Sequence, residues 1–119
     1  MKNLTLFFAI AFLLASCDYD VAEELYPIDG CNTRDLSYSL DIIPIIDANG
    51  YRCHDAQSNF GNVTLEGYNN IKVYVDNGKL LGTIKHDDGF SPMPQDAGQI
   101  DQCSIDKVEQ WINDGAENN

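Results

Sequence analysis

The sequence predicts an all-α domain: a few short helices joined by long irregular loops. Three observations carry that reading. Residues 101–115 place Ile105, Val108 and Ile112 at i, i+3 and i+7 behind a capping Asp101, the spacing of one helix face. "SYSLDIIPIIDANG" is dense in isoleucine between serines that can start a helix and an Asn-Gly that can end one. "HDDGFSPMPQDAG" is rich in Gly, Pro and Asp, a loop composition, and little of the chain reads as strand.

In chain order, the opening "MKNLTLFFAIAFLLASC" is a processing segment, residues 1–16 of which stand outside the fold. Lys2 supplies a short positive region, and Leu4 to Leu14 form an apolar stretch too short to span a bilayer. Leu14-Ala15-Ser16-Cys17 resembles the bacterial lipoprotein box, which implies cleavage before Cys17 and acylation of its sulfur and new amino group. More than one acyl chain matters, because a single chain binds a membrane only marginally. The alternative is an ordinary secretory signal with a coincidental cysteine; either way the mature chain leaves the cytoplasm. The expected location is the cell envelope, lipid-anchored and facing the periplasm or the cell surface.

Residues 17–30, with "DYDVAEE" at their start, read as an acidic tether ahead of a single domain over 31–117. Ser37 or Ser39 caps the first helix and Asn49-Gly50 ends it, just where Cys53-His54 begins. Pro44 either kinks that helix or sits in its first turns. A second helix covers Tyr68 to Asp76 and stops at Asn77-Gly78, with Gly at the left-handed position. Its valines and Tyr74 suit a strand as well. Leu80 to Ile84 is another short helical piece. In the last helix Trp111 borders the apolar face, and Gly115 follows the final turn.

The formal charge is −12, which argues against nucleic acid as a partner, since binding it needs a basic patch. Acidity of this size gives a solvated surface and favours basic partners. Four cysteines are present. Cys17 goes to lipid and Cys53 precedes a histidine, leaving Cys31 and Cys103 at opposite ends of the folded region. Outside the cytoplasm a disulfide between them is allowed and would stabilise by ~4 kcal/mol through loop entropy. Separate buried thiols, or a pairing of either cysteine with Cys53, remain open alternatives.

"ANGYRCHD" contains Cys53-His54, the second half of the haem-attachment motif Cys-x-x-Cys-His, with Gly50 where the first cysteine would stand. A haem needs a histidine nitrogen on one side of the iron, a thiol to bond a vinyl carbon, and a ligand on the other face. His54 and Cys53 meet the first two needs. Methionine sulfur on the far side stabilises reduced iron. Met93 is the only methionine besides Met1 and lies between Pro92 and Pro94, whose fixed φ angles reduce the entropy of ordering its loop. A methionine that merely fills an apolar gap is seldom set between prolines in a polar loop.

The succession "YSLDIIPIIDANGYRCHD", "LEGYNNIKVYVDNGKLLGTIKH", "GFSPMP" and "IDQCSIDKVEQWINDGA" resembles the small, planctomycete-type c-type cytochrome domains of bacterial envelope lipoproteins. The resemblance covers roughly residues 31–115 and implies a cytochrome-c-like fold. By it, His54 is the proximal iron ligand, Cys53 the thioether cysteine and Met93 the distal ligand of one covalent haem c. Family members often carry cysteines near Cys31 and Cys103, in keeping with a disulfide there. Gly50 departs from the pattern, so at most one thioether can form. The implied function is electron transfer to redox partner proteins of the envelope, with the membrane held through the lipid anchor.

The rival from another class is a haem-free module of the same fold, structural or interacting, held by its helices and disulfide. A haem sensor is a third, should Met93 dissociate. His86, beside Asp87 and Asp88, reads as a solvated loop residue, with alternatives as a distal ligand or a neighbour of a haem propionate. A zinc site of Cys53, His54 and His86 lacks a fourth ligand. Asp87, Asp88 and Asp96 lack the regular spacing of a calcium loop. Trp111, Tyr74 and Phe90 read as core or haem-packing residues. No arrangement argues for hydrolysis, so no enzyme is expected.

Overall fold

A computed structural model describes residues 30–119. The expected leader over 1–16, the expected lipidation at Cys17 and the expected acidic tether through residue 29 lie outside the described residues. Ser37 sets the chain into its first helix. Its Oγ accepts from the Leu40 N–H at 3.3 Å, and its own N–H donates to the Asp41 carboxylate at 3.0 Å. The reciprocal pair satisfies groups that a helix start leaves without partners.

The first helix, α1, spans residues 38–54 and alternates wide and ordinary turns. Tyr38–Ile42 and Asp47–Tyr51 are π-helical, whereas Ile43–Ile46 and Arg52–His54 are α-helical. Pro44 has no N–H to donate and its ring crowds the carbonyl four residues back. Ahead of it the Ile42 and Ile43 N–H groups reach back five residues, to the carbonyls of Ser37 and Tyr38. Wide turns also alter which residues share a face. Tyr38, Ile42 and Ile46 are all buried at a spacing of four. A straight α-helix would turn such a series by ~40° at each interval, and the wide turns rotate it back.

The sequence placed the end of this helix at Asn49-Gly50, and the structure corrects that. Gly50 keeps a helical backbone, with no positive φ, and the Asn49 amide donates to the Ile45 carbonyl at 2.8 Å instead of ending the helix. Cys53 and His54 are therefore the last turn of α1 rather than the start of a loop.

Helix α2 is Tyr68–Asp76. It is helix, not strand, because Ile71 is buried and Tyr68, Tyr74 and Val75 are half-buried, a 3–4 spacing, while Val73 is exposed. Gly78 at φ 74° ends it, as its sequence suggests, and leads into α3, Lys79–Ile84. Leu80 and Ile84 face the core one turn apart. Between them Gly82 is required by a close approach: a Cβ there would stand 2.6 Å from the Phe90 ring.

Helix α4 is Gln102–Asn113, capped by Asp101, whose side chain accepts from the Ser104 N–H. Bonds from the Ser104 hydroxyl and N–H hold the Asp101 carboxyl below the usual range. Ile105, Val108 and Trp111 are buried and Ile112 only partly so, which puts Trp111 at the centre of the apolar face rather than its border. Its ring stacks on Tyr38 at 5.5 Å and its Nε1–H donates to the Glu117 carbonyl at 2.9 Å. The indole is thus anchored at both its apolar and polar ends.

Residues Cys31–Asn119 form one compact unit. Its core gathers Ile42 and Ile46 of α1, Ile71 of α2, Leu80 of α3 and Trp111 of α4. Asn119, beyond the stretch assigned to the domain from sequence, accepts the Tyr38 N–H at 2.7 Å through its side chain and the Ser39 N–H at 3.0 Å through its main chain. A disulfide joins Cys31 to Cys103 at the first turn of α4, with Cα atoms 5.6 Å apart. The described residues form helices and no strand, so the architecture is all-α.

Candidate functional site

His54 is held from two directions by the segment that follows it. Asn59, Gly61 and Asn62 take left-handed φ values of 42°, 67° and 57°, which fold residues 55–65 back on the end of α1. Asn and Gly are the residues that accept such a backbone at little cost. The turn brings the Phe60 carbonyl to 3.1 Å from His54 Nδ1, and the Leu65 N–H to 2.7 Å from the His54 carbonyl. A carbonyl can only accept, so Nδ1 carries the proton. In the neutral ring Nε2 then keeps its lone pair, the arrangement of a ligating histidine whose second nitrogen is fixed by the backbone. The Asp55 carboxyl, bonded by the Ser58 N–H, is held below its ordinary range.

Cys53, beside His54, is half-buried and is the free cysteine among the described residues. The competing pairing of Cys53 with Cys31 or Cys103 is not the one adopted. Gly50 lies one helical turn back on the same element. A Cβ at Gly50 would meet Leu65 Cδ1 at 3.1 Å and Ile46 Cγ2 at 3.6 Å, so Leu65 covers the space beside position 50.

Met93 is half-buried in the loop after α3. Its N–H donates to the Thr83 carbonyl at 3.0 Å, and its carbonyl lies 3.1 Å from His86 Nε2. The structure therefore groups the sequence-derived candidates in two sets. Cys53 and His54 share the last turn of α1, supported by the 55–65 turn; Met93 is fastened separately, to the end of α3. His86 is half-buried and bonded to Met93 rather than solvated, which corrects the sequence reading. Its Nε2 is committed to that bond, so ligation through Nε2 would require breaking it. Phe90, 37% exposed, lies against Gly82, and Tyr74 is half-buried.

In donor chemistry alone the set suits a haem: an imidazole whose Nδ1 is fixed by a main-chain carbonyl, a free thiol at the adjacent residue, and a thioether on a separately fixed loop. Among the described residues no group of three or more His, Cys, Asp or Glu is placed to hold a metal ion. A His/Met pair is not such a group. No helix among the described residues is long and apolar enough to cross a membrane. No family model matches the chain, and neither a curated protein nor a solved structure matches it.

Proposed function

We propose that the chain is a monohaem c-type cytochrome lipoprotein of the cell envelope, an electron carrier rather than an enzyme. The observation that carries this is the His54 ring bond, Nδ1–H to the Phe60 carbonyl at 3.1 Å, next to the free Cys53 thiol. It supports the reading because a haem-ligating histidine needs its ring oriented and its other nitrogen unprotonated.

In this role Cys53, His54 and Met93 would hold the haem: Cys53 through its thiol, as the single thioether that Gly50 leaves possible, His54 through Nε2 and Met93 through its sulfur. When bound, the haem supplies a one-electron couple. The chain's part is to orient the two ligands, to favour the reduced state through a soft sulfur, and to leave an edge open to partners. The cytochrome-c-like fold, the cleaved leader and the acylated Cys17 belong to the same proposal. With a charge of −12, the chain suits envelope redox proteins with basic docking faces, and docking weakens as salt rises.

Met93→Ala tests the ligand set. In the haem-loaded full chain the ferric sulfur-to-iron charge-transfer band disappears and the midpoint potential falls. An unchanged spectrum removes Met93 from the role.

A further inference from the structure

Both main-chain polar groups of Met93 are engaged by the end of α3. Its N–H is bonded to the Thr83 carbonyl and its carbonyl to His86 Nε2, at 3.0 and 3.1 Å. Since a carbonyl only accepts, His86 Nε2 is protonated in this contact. His86 itself stands at φ 54°, the left-handed region, which glycine or asparagine would occupy at lower cost. A short residue would suit that backbone better; the residue present is one long enough to reach Met93. Other contacts close the same loop: the Asp87 N–H meets the Gly82 carbonyl at 2.9 Å, and the Phe90 ring lies on Gly82.

We propose that His86 is a positioning residue for Met93, its Nε2–H pinning the methionine main chain so that the thioether is presented before any haem arrives. The inference rests on reading Met93 as the distal ligand. With the N–H and carbonyl both held, only the side-chain torsions of Met93 remain free, and less ordering entropy opposes ligation.

The test compares the full chain in detergent as wild type, His86→Asn and His86→Gln. Asparagine accepts a left-handed φ readily, but its amide falls short of the Met93 carbonyl. Glutamine tolerates that φ poorly, yet its amide nitrogen occupies the place of histidine Nε2. A purely conformational role for residue 86 ranks Asn above Gln; pinning ranks Gln above Asn. The first readout is the 13C-labelled methyl signal of Met93 in the haem-free chain, with Trp111 fluorescence reporting the folded core. Pinning gives a dispersed methyl signal in wild type and His86→Gln, collapsed to the random-coil position in His86→Asn. The second readout is the charge-transfer band of the haem-loaded chain, kept in His86→Gln and reduced several-fold in His86→Asn. A Met93 methyl unmoved in His86→Asn, or His86→Gln no better than His86→Asn, overturns the proposal. Should the chain take up no haem, the distal-ligand reading fails, while the methyl signal still decides whether His86 pins Met93.

Discussion

Gly50 shows how much a single residue position decides here. It is not required by its backbone, which is helical, and the direction in which a Cβ would leave it points to Leu65 and Ile46. Restoring the motif with Gly50→Cys therefore presses on Leu65 at 3.1 Å, so that side chain must give by a few tenths of an ångström. The expected result is a haem-free domain changed by no more than about 1 kcal/mol in denaturant titration, because the overpacking cost is offset in part by the gain from replacing a helical glycine. In the haem-loaded variant a second thioether moves the pyridine haemochrome α-band to the blue; an unmoved band would mean that the thiol at position 50 does not reach the vinyl group. At this scale the sequence offers its candidates, Cys53, His54 and Met93, by residue type alone. Their supports were not. The acceptor that fixes His54 is a main-chain carbonyl, which any residue at position 60 would offer, so Phe60 carries no signal in its side chain. The turn that delivers it did leave one, in Asn59-Phe60-Gly61-Asn62. His86 was visible as a residue but not as Met93's partner, because only the left-handed turn after α3 brings the two together.

Among the elements, α2, α3 and α4 match their expected positions closely, since each carries its own stop or start: Gly78 after α2, Asp101 before α4, Gly115 beyond it. The first helix was read with too early an end. Its dense isoleucines do not mark one buried face by a single helical period. The structure mixes two kinds of turn around Pro44, and Tyr38, Ile42 and Ile46 are the ones buried. At α3 the element and the loop after it are coupled through Gly82 and Phe90. Gly82→Ala places a Cβ 2.6 Å from the ring and must displace it. Stability is expected to fall by about 1–3 kcal/mol. In a Phe90→Ala background the same substitution should be neutral or favourable, because alanine exceeds glycine in a helix by ~1 kcal/mol. A double-mutant cycle by chemical denaturation checks this, and additive effects would show that the ring does not press on the helix.

For the whole molecule, distant segments are joined at both ends of the fold. Cys31 bonds Cys103 across a sequence separation of 72 residues, and Asn119 receives the first N–H groups of α1. A loop of that length corresponds to about 4 kcal/mol of loop-entropy stabilisation. Cys31→Ser with Cys103→Ser should lower the unfolding free energy by that order, read from the shift in denaturant midpoint; a loss below ~1 kcal/mol would show that helix packing alone holds the unit. All-α architecture was legible from periodicity and capping. The pinning of α1 by Asn119 was not, since a single asparagine far along the sequence carries no pattern that marks it as the partner of Tyr38.

The most direct test of single-thioether haem attachment is a pyridine haemochrome spectrum after acid-acetone extraction of the full chain, expressed with a c-type maturation system. Attachment through Cys53 predicts that haem stays with the protein, that its α-band lies to the red of a two-thioether haem, and that Cys53→Ser releases it. A folded chain that yields no covalent haem would contradict the cytochrome function and leave the haem-free helical module in its place.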